Sequence, residues 1–198
     1  MDKISMTYFV DFVLKAGTPK LTGVREIKER KDELFTDFYR QIREAIIDMH
    51  RGNKNDRVLD DFLAAQTDER RRRIYPGIVA GYRKLLASGK VTWFDPPVGT
   101  CQLGDVSINV NPELGLVIDG KPHLVKMYFR GESLSAKRLT VMLNLLTNGM
   151  DGIAAPGTSF AVLDVRKAKL HAPKVPNPRL NTLLRGEAAS FATIYASL

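Results

Sequence analysis

Cysteine and histidine are scarce in this chain of 198 residues: Cys101 is the only cysteine, and His50, His123 and His171 are the three histidines. That supply excludes a disulfide framework and a zinc cluster assembled within one chain, and it points to a reducing, cytoplasmic setting. Cys101 has no activating pattern around it and reads as a passive small residue. The histidines sit at no ligand spacing, and His123 reads as structural. No apolar run approaches the ~20 residues needed to span a bilayer, so no membrane partner is expected. The stretch from Met6 to Lys15 is apolar but contains Asp11, and it lacks the basic start and cleavage site of a signal peptide. It reads as a packed helix. There is no internal repeat, no low-complexity tract and no Gly-x-Ser-x-Gly elbow. The glycine-rich stretches at 149–152 and 155–158 omit the Gly-Lys-Ser/Thr ending of a phosphate loop and read as turns. No nucleophile with a histidine base can be assigned.

What remains is an ordinary globular composition, 44% hydrophobic, 26% charged and 8% aromatic, which excludes wholesale disorder. Lys and Arg number 30 against 22 for Asp and Glu, a formal charge of +8. Such a balance permits a polyanionic partner without identifying one.

The first half reads as helix. After a short helix near residues 5–16, Gly17-Thr18-Pro19 breaks the chain. A long amphipathic helix is then expected from about Thr22 to Arg51, with Val24, Ile27, Leu34, Phe38, Ile42 and Ile46 at helical spacing. Val58 to Ala65 is a further helix. Thr67 caps the next, followed by the carboxylates of Asp68 and Glu69 in its first turn, and this helix runs to about Ser88 with Pro76 inside. At Gly89 the character changes. Val106, Ile108 and Val110 alternate with polar residues, Leu114, Leu116 and Ile118 repeat the pattern, and Val125, Met127 and Phe129 continue it. These three runs read as an antiparallel meander. Ser135 caps a helix that stops at Asn148-Gly149. Phe160 to Val165 is a fourth strand, with a fifth around Lys169-Leu170, and beyond Pro173, Pro176 and Pro178 the tail from Leu180 to Ser197 is helical. The expected fold class is α+β, with a helical lobe over 1–66 and a mixed lobe over 67–198 packed as one unit.

Asp119-Gly120 is a hairpin dipeptide. With a two-residue turn there, paired residues have numbers summing to 239, so Glu113 falls opposite Lys126 and Gly115 opposite Leu124. Leu114, Leu116, Ile118, Val125, Met127 and Phe129 then share a core face. Glu113, Lys126 and Tyr128 share the face turned away from it, with Ser107 and Asn109 extending that side. An ordinary cross-strand ion pair is one reading of Glu113 and Lys126.

The order helix, three strands, helix, strand, with Asn111-Pro112-Glu113 through Lys126 in the central hairpin, resembles the PD-(D/E)xK nuclease superfamily, the restriction-endonuclease-like fold. The resemblance covers about Thr67 to Leu170. It implies that an acid near the start of the second strand, and another two residues before a lysine in the third, hold Mg²⁺ or Mn²⁺ while the lysine assists the attacking water. Pro112-Glu113 resembles the first element, with Asp119 a weaker substitute, and Lys126 resembles the lysine. Thus Glu113 and Lys126 are the candidate catalytic residues and Glu113 the candidate metal ligand. Leu124 stands where the second acid belongs and cannot bind a hard cation. The rescues are an acid from Asp105, Glu69 or Asp164, a partner subunit, or loss of catalysis with a binding role kept, and the last is the expectation.

For binding, Arg70, Arg71 and Arg73 belong to the densest charge run, Arg70-Arg71-Arg72-Arg73, at a helix start where a bound anion would relieve the repulsion with the macrodipole. Arg83, Lys84 and Lys90 follow it, and Asp60, Asp61, Asp68 and Glu69 are close enough in sequence to pair with it. Lys137 and Arg138 open the helix after the third strand, and Arg166 and Lys167 follow the fourth. If these surround one face they make a basic groove for DNA or RNA. The expected function is therefore a nucleic-acid-associated or regulatory protein with a nuclease-like fold. The alternatives are a protein–protein interaction module, including a homodimer, and an active metal-dependent nuclease with a relocated acid.

Overall fold

A computed structural model describes residues 3–29, 37–172 and 178–198. The chain is α+β, with helices concentrated in its first half and two mixed sheets in its second. In chain order the elements are β1 (Ile4–Ser5), α1 (Met6–Leu14), α2 (Thr18–Glu29), α3 (Arg40–Arg51), α4 (Val58–Ala64) and α5 (Glu69–Leu86). There follow β2 (Val91–Phe94), β3 (Gly99–Leu103), β4 (Val106–Val110), β5 (Leu114–Ile118) and β6 (Lys121–Tyr128). The chain closes with α6 (Ala136–Met150), β7 (Ser159–Asp164), a 3₁₀ turn (Val165–Lys167), β8 (Lys169–His171) and α7 (Pro178–Ser197). Among the described residues no helix is long and apolar enough to cross a membrane.

The long helix expected over 22–51 is two helices. Pro19 does not break the chain but opens α2 at its second position, where the missing N–H has no intrahelical partner to lose. Ahead of α3, the Asp37 carboxylate accepts from the Tyr39 N–H at 3.0 Å, a local turn that competes with helix. Leu34, like Pro173 and Pro176, lies outside the described residues. At α5 the cap is Asp68 rather than Thr67, its carboxylate accepting from the Arg71 N–H at 2.7 Å.

The sheet departs from the expected meander. β4 does not pair with β5; it pairs with β3 across the two-residue turn Gly104-Asp105, and β1 runs parallel to it on the other side. Asn111-Pro112-Glu113 then carries the chain out of this three-stranded sheet into a five-stranded one of order β2-β5-β6-β7-β8. Ser107 and Asn109 consequently extend no face of the Glu113 hairpin. The first strand of the core order is Val91–Phe94, so α5, β2, β5, β6, α6 and β7 supply the helix, three antiparallel strands, helix and parallel strand, with β3 and β4 inserted. The β5–β6 hairpin itself has the expected register, Gly115 opposite Leu124 and Val117 opposite Pro122. Its turn residues Asp119 and Gly120 both have positive φ, 48° and 81°, the pattern of a type I′ hairpin turn.

Two hydrophobic clusters sandwich the five-stranded sheet. Leu114, Leu116, Val125, Met127 and Phe129 pack against α3, α4 and α5. The opposite face is not an open polar surface, because Leu124, Tyr128 and Val162 join α1, α2, β3, β4, α6 and α7 in a second core. α6 does not stop at Asn148-Gly149 but continues to Met150. Gly149 is there for close approach, since a Cβ on it would lie 2.6 Å from a methyl of Val110.

Candidate functional site

Glu113 and Lys126 meet, and both are buried, at 9% and 7% exposure. Lys126 Nζ donates to Glu113 Oε1 at 2.5 Å and to the Asn111 carbonyl at 3.0 Å. The second carboxylate oxygen, Oε2, accepts from the Met127 N–H at 2.8 Å. Glu113 stands one residue ahead of β5, so its side chain takes the place of a backbone acceptor where the β5 edge of the ladder ends. An ion pair in this setting survives desolvation only because its remaining hydrogen-bonding groups are also satisfied. Oε1 of Glu113 is thus directed at the Lys126 ammonium and Oε2 at the Met127 N–H. Leu124, 1% exposed, is part of the core. Among the described residues no three His, Cys, Asp or Glu side chains gather where they could hold a metal.

Of the three acids named as relocated ligands, Asp164 stands on the strand paired with β6. It ends β7 opposite Tyr128, two residues along β6 from Lys126, and is 3% exposed. Its nearest cation is Lys167, at 3.8 Å. Asp105 lies in the β3–β4 turn and Glu69 opens α5. The Tyr128 phenol is held above its ordinary pKa, first by burial and then by Glu132. It donates to the Glu132 carbonyl at 3.2 Å.

The cations picked from three separate stretches of sequence, 70–73, 137–138 and 166–167, gather around the segment 129–135 that follows β6. Arg166 Nε donates to the Phe129 carbonyl at 2.9 Å, and Lys167 Nζ to Ser133 Oγ at 3.1 Å. The Tyr39 ring stacks on Phe129 with centroids 5.5 Å apart, Phe38 meets Tyr39 edge-on at 5.0 Å, and the Arg70 guanidinium lies 4.7 Å over Phe38. Through this relay the N-terminal turn of α5, with Arg70, Arg71 and Arg73, shares an end of the molecule with Arg166 and with Lys137 at the start of α6. Arg70, Arg73 and Lys137 have no carboxylate partner among the described residues, and all three are exposed. Arg138 is a different case: it is 14% exposed and pairs with Asp11 at 2.5 Å and Glu132 at 3.8 Å, tying α1 to α6. Arg83 is likewise taken, by Asp56 at 2.9 Å and Asp60 at 2.8 Å, so of the acids expected to pair with the Arg70–Arg73 run Asp60 serves Arg83 and Asp68 caps α5.

A second constellation had no spacing signal in sequence. His50, at the end of α3, stacks on Trp93 of β2 with centroids 5.5 Å apart, and its Nε2 is 2.5 Å from the Tyr82 hydroxyl. Burial lowers His50 to about 4 and raises the Tyr82 phenol well above its ordinary value. At neutral pH the phenol therefore donates, and imidazole Nε2 accepts. The folded state holds a proton on His50 less tightly than an unfolded chain at ~6.5, so stability is full above that pH and is lost as pH falls toward 4. The urea midpoint of the native protein should accordingly drop further between pH 7 and pH 4.5 than that of His50→Leu. Equal drops would remove this assignment. Cys101 is buried and burial raises its thiol, in keeping with a passive role.

No known protein-family model matches the chain, and no curated protein matches it.

Proposed function

We propose that this protein keeps a nuclease-like core without a metal-dependent active site, and binds the phosphate backbone of DNA or RNA with the cationic end of its five-stranded sheet. The observation that carries this reading is the occupancy of Glu113: one oxygen holds Lys126 and the other the Met127 N–H, so the acid and lysine of the resemblance serve each other rather than a metal ion. Leu124 in place of the second acid supports the same reading, because Mg²⁺ and Mn²⁺ need several oxygen donors. The binding half rests on Arg70, Arg73, Lys137, Arg166 and Lys167, drawn from α5, α6 and the turn after β7 to one end of the sheet. Arg70 lying on Phe38 offers a flat cation beside an aromatic cluster, a surface suited to a backbone with exposed bases.

Fluorescence anisotropy with labelled single- and double-stranded DNA and with RNA tests the reading. Raising salt from 50 to 200 mM should weaken binding by about 40-fold if three phosphates are neutralised. The triple variant Arg70→Ala, Arg73→Ala, Lys137→Ala should lose at least tenfold in affinity at 50 mM salt, and Mg²⁺ or Mn²⁺ should give no cleavage. Absence of binding with a stable protein complex in its place would favour an interaction module instead. Metal-dependent cleavage abolished by Lys126→Ala would establish an active nuclease and overturn the proposal.

A further inference from the structure

At the opposite edge of the same sheet lies a groove of about 450 Å³ between β2 and the end of α3 with its following loop. Val91, Thr92 and Trp93 are among its walls, facing His50, Arg51, Asn53 and Lys54. Three consecutive strand residues line a groove only if it runs along the strand's edge, since alternate side chains point to opposite faces. β2 is the terminal strand of the sheet.

The hydrogen-bond phase of that edge follows from one contact. The Asp119 N–H donates to the Lys90 carbonyl at 3.0 Å, and the β2–β5 register places Lys90 opposite Asp119. Antiparallel bonding alternates, so Thr92 and Phe94 bond toward β5 while Val91 and Trp93 turn their N–H and C=O groups outward into the groove. Among the described residues nothing bonds to those outward groups. The chemistry along the rim is rich in donors. Lys54 has no acid partner among the described residues, and Arg51 reaches only Asp95, at 3.4 Å with both side chains exposed. The one acid in the lining, Asp56, is held by Arg83. The Trp93 indole N–H, buried in the same wall, has no acceptor among the described residues. An unpaired strand edge beside the unpaired Lys54 and the loosely paired, exposed Arg51 is a template for one kind of guest.

We infer that this groove takes an extended segment of another protein carrying Asp or Glu side chains, added to β2 as a sixth strand. Main-chain bonds to Val91 and Trp93 hold the segment, and Arg51 and Lys54 select its charge. Asp95-Pro96-Pro97 closes the template at one end, because proline offers no N–H to continue the ladder. The site is separate from the cationic end and stands whether or not nucleic acid binds there.

Trp93 is the single tryptophan of the chain, so its emission reports on the groove alone. The full chain should be titrated with an acetylated, amidated octapeptide of alternating glutamate and valine. The expected result is a saturable change in emission, weakened at least tenfold when alternate peptide nitrogens are methylated and at least tenfold by the exposed-site double variant Arg51→Glu, Lys54→Glu. A lysine–valine octapeptide should give no saturable change. No response to the glutamate peptide, an equal response to the lysine peptide, or indifference to N-methylation would each overturn the inference, the last by pointing to a small carboxylate ligand. An oligonucleotide whose binding is lost in the same double variant, while the peptide leaves the emission unchanged, would assign the groove to nucleic acid.

Discussion

Lys126→Met is expected to lower the unfolding free energy by about 3–5 kcal/mol, the usual cost of stranding one member of a buried ion pair. For a chain of this size that corresponds to a fall of roughly 6–20 °C in Tm. The loss arises because Glu113, 9% exposed, would keep its charge or take up a proton with no cation beside it. The double variant Glu113→Gln, Lys126→Met should recover more than half of the loss: the amide oxygen still accepts from the Met127 N–H, and no charge remains to be desolvated. Urea denaturation of the two variants and the native protein measures both effects. The comparison bears on function as well as stability. A lysine held ready for a metal-bound water contributes little to stability, and its removal often raises it. A lysine that completes a buried ion pair is missed at once. If Lys126→Met costs under about 1 kcal/mol, the structural reading of the pair is wrong and the catalytic one regains ground.

The hairpin at the centre of that argument was legible because its signals are local. Asp119-Gly120 between two alternating runs sets the turn, the turn sets the register, and the register brings Glu113 to Lys126. What the same reasoning missed was which strand lies beside β5. Gly104-Asp105, between Cys101-Gln102-Leu103 and Val106-Ser107-Ile108, is a second two-residue turn, with positive φ at Gly104 alone, and it gives β4 an earlier partner in β3. Alternation identifies a strand but says nothing of its neighbour. The open polar face failed for a related reason. Gly115 and Leu124 mark it as apolar in part, but only the packing of α6 and the three-stranded sheet shows that a second core covers it. The cationic cluster was legible as three separate stretches of basic residues and not as one surface. Its assembly depends on the stack from Arg70 through Phe38 and Tyr39 to Phe129, a long-range arrangement with no sequence period. The His50, Tyr82 and Trp93 group was invisible for the same reason, since its members come from three elements.

Gly81→Ala should be among the most damaging single-methyl changes in the chain. A Cβ at this position of α5 would lie 2.1 Å from the Val165 carbonyl oxygen and 3.0 Å from that of Arg166, and a backbone atom in the turn after β7 cannot swing aside as a side-chain tip does. The cost should reach about 3 kcal/mol, the upper part of the range for overpacking. Gly99→Ala meets the Gly149 carbonyl oxygen at 2.0 Å and should cost a similar amount where β3 packs on α6. Gly77→Ala, one turn before Gly81 in the same helix, meets nothing within 4 Å. It should therefore stabilise by about 0.5–1 kcal/mol through helix propensity alone. Opposite signs from two glycines of one helix, read by urea denaturation, would isolate packing from propensity; a gain at Gly81 would show that α5 does not sit against the turn. The same joint sets the spacing between the arginines that open α5 and Arg166, which follows Val165 directly. A Gly81→Ala protein that still folds should thus bind oligonucleotides more weakly than the native protein at equal salt, with each of its cations still in place.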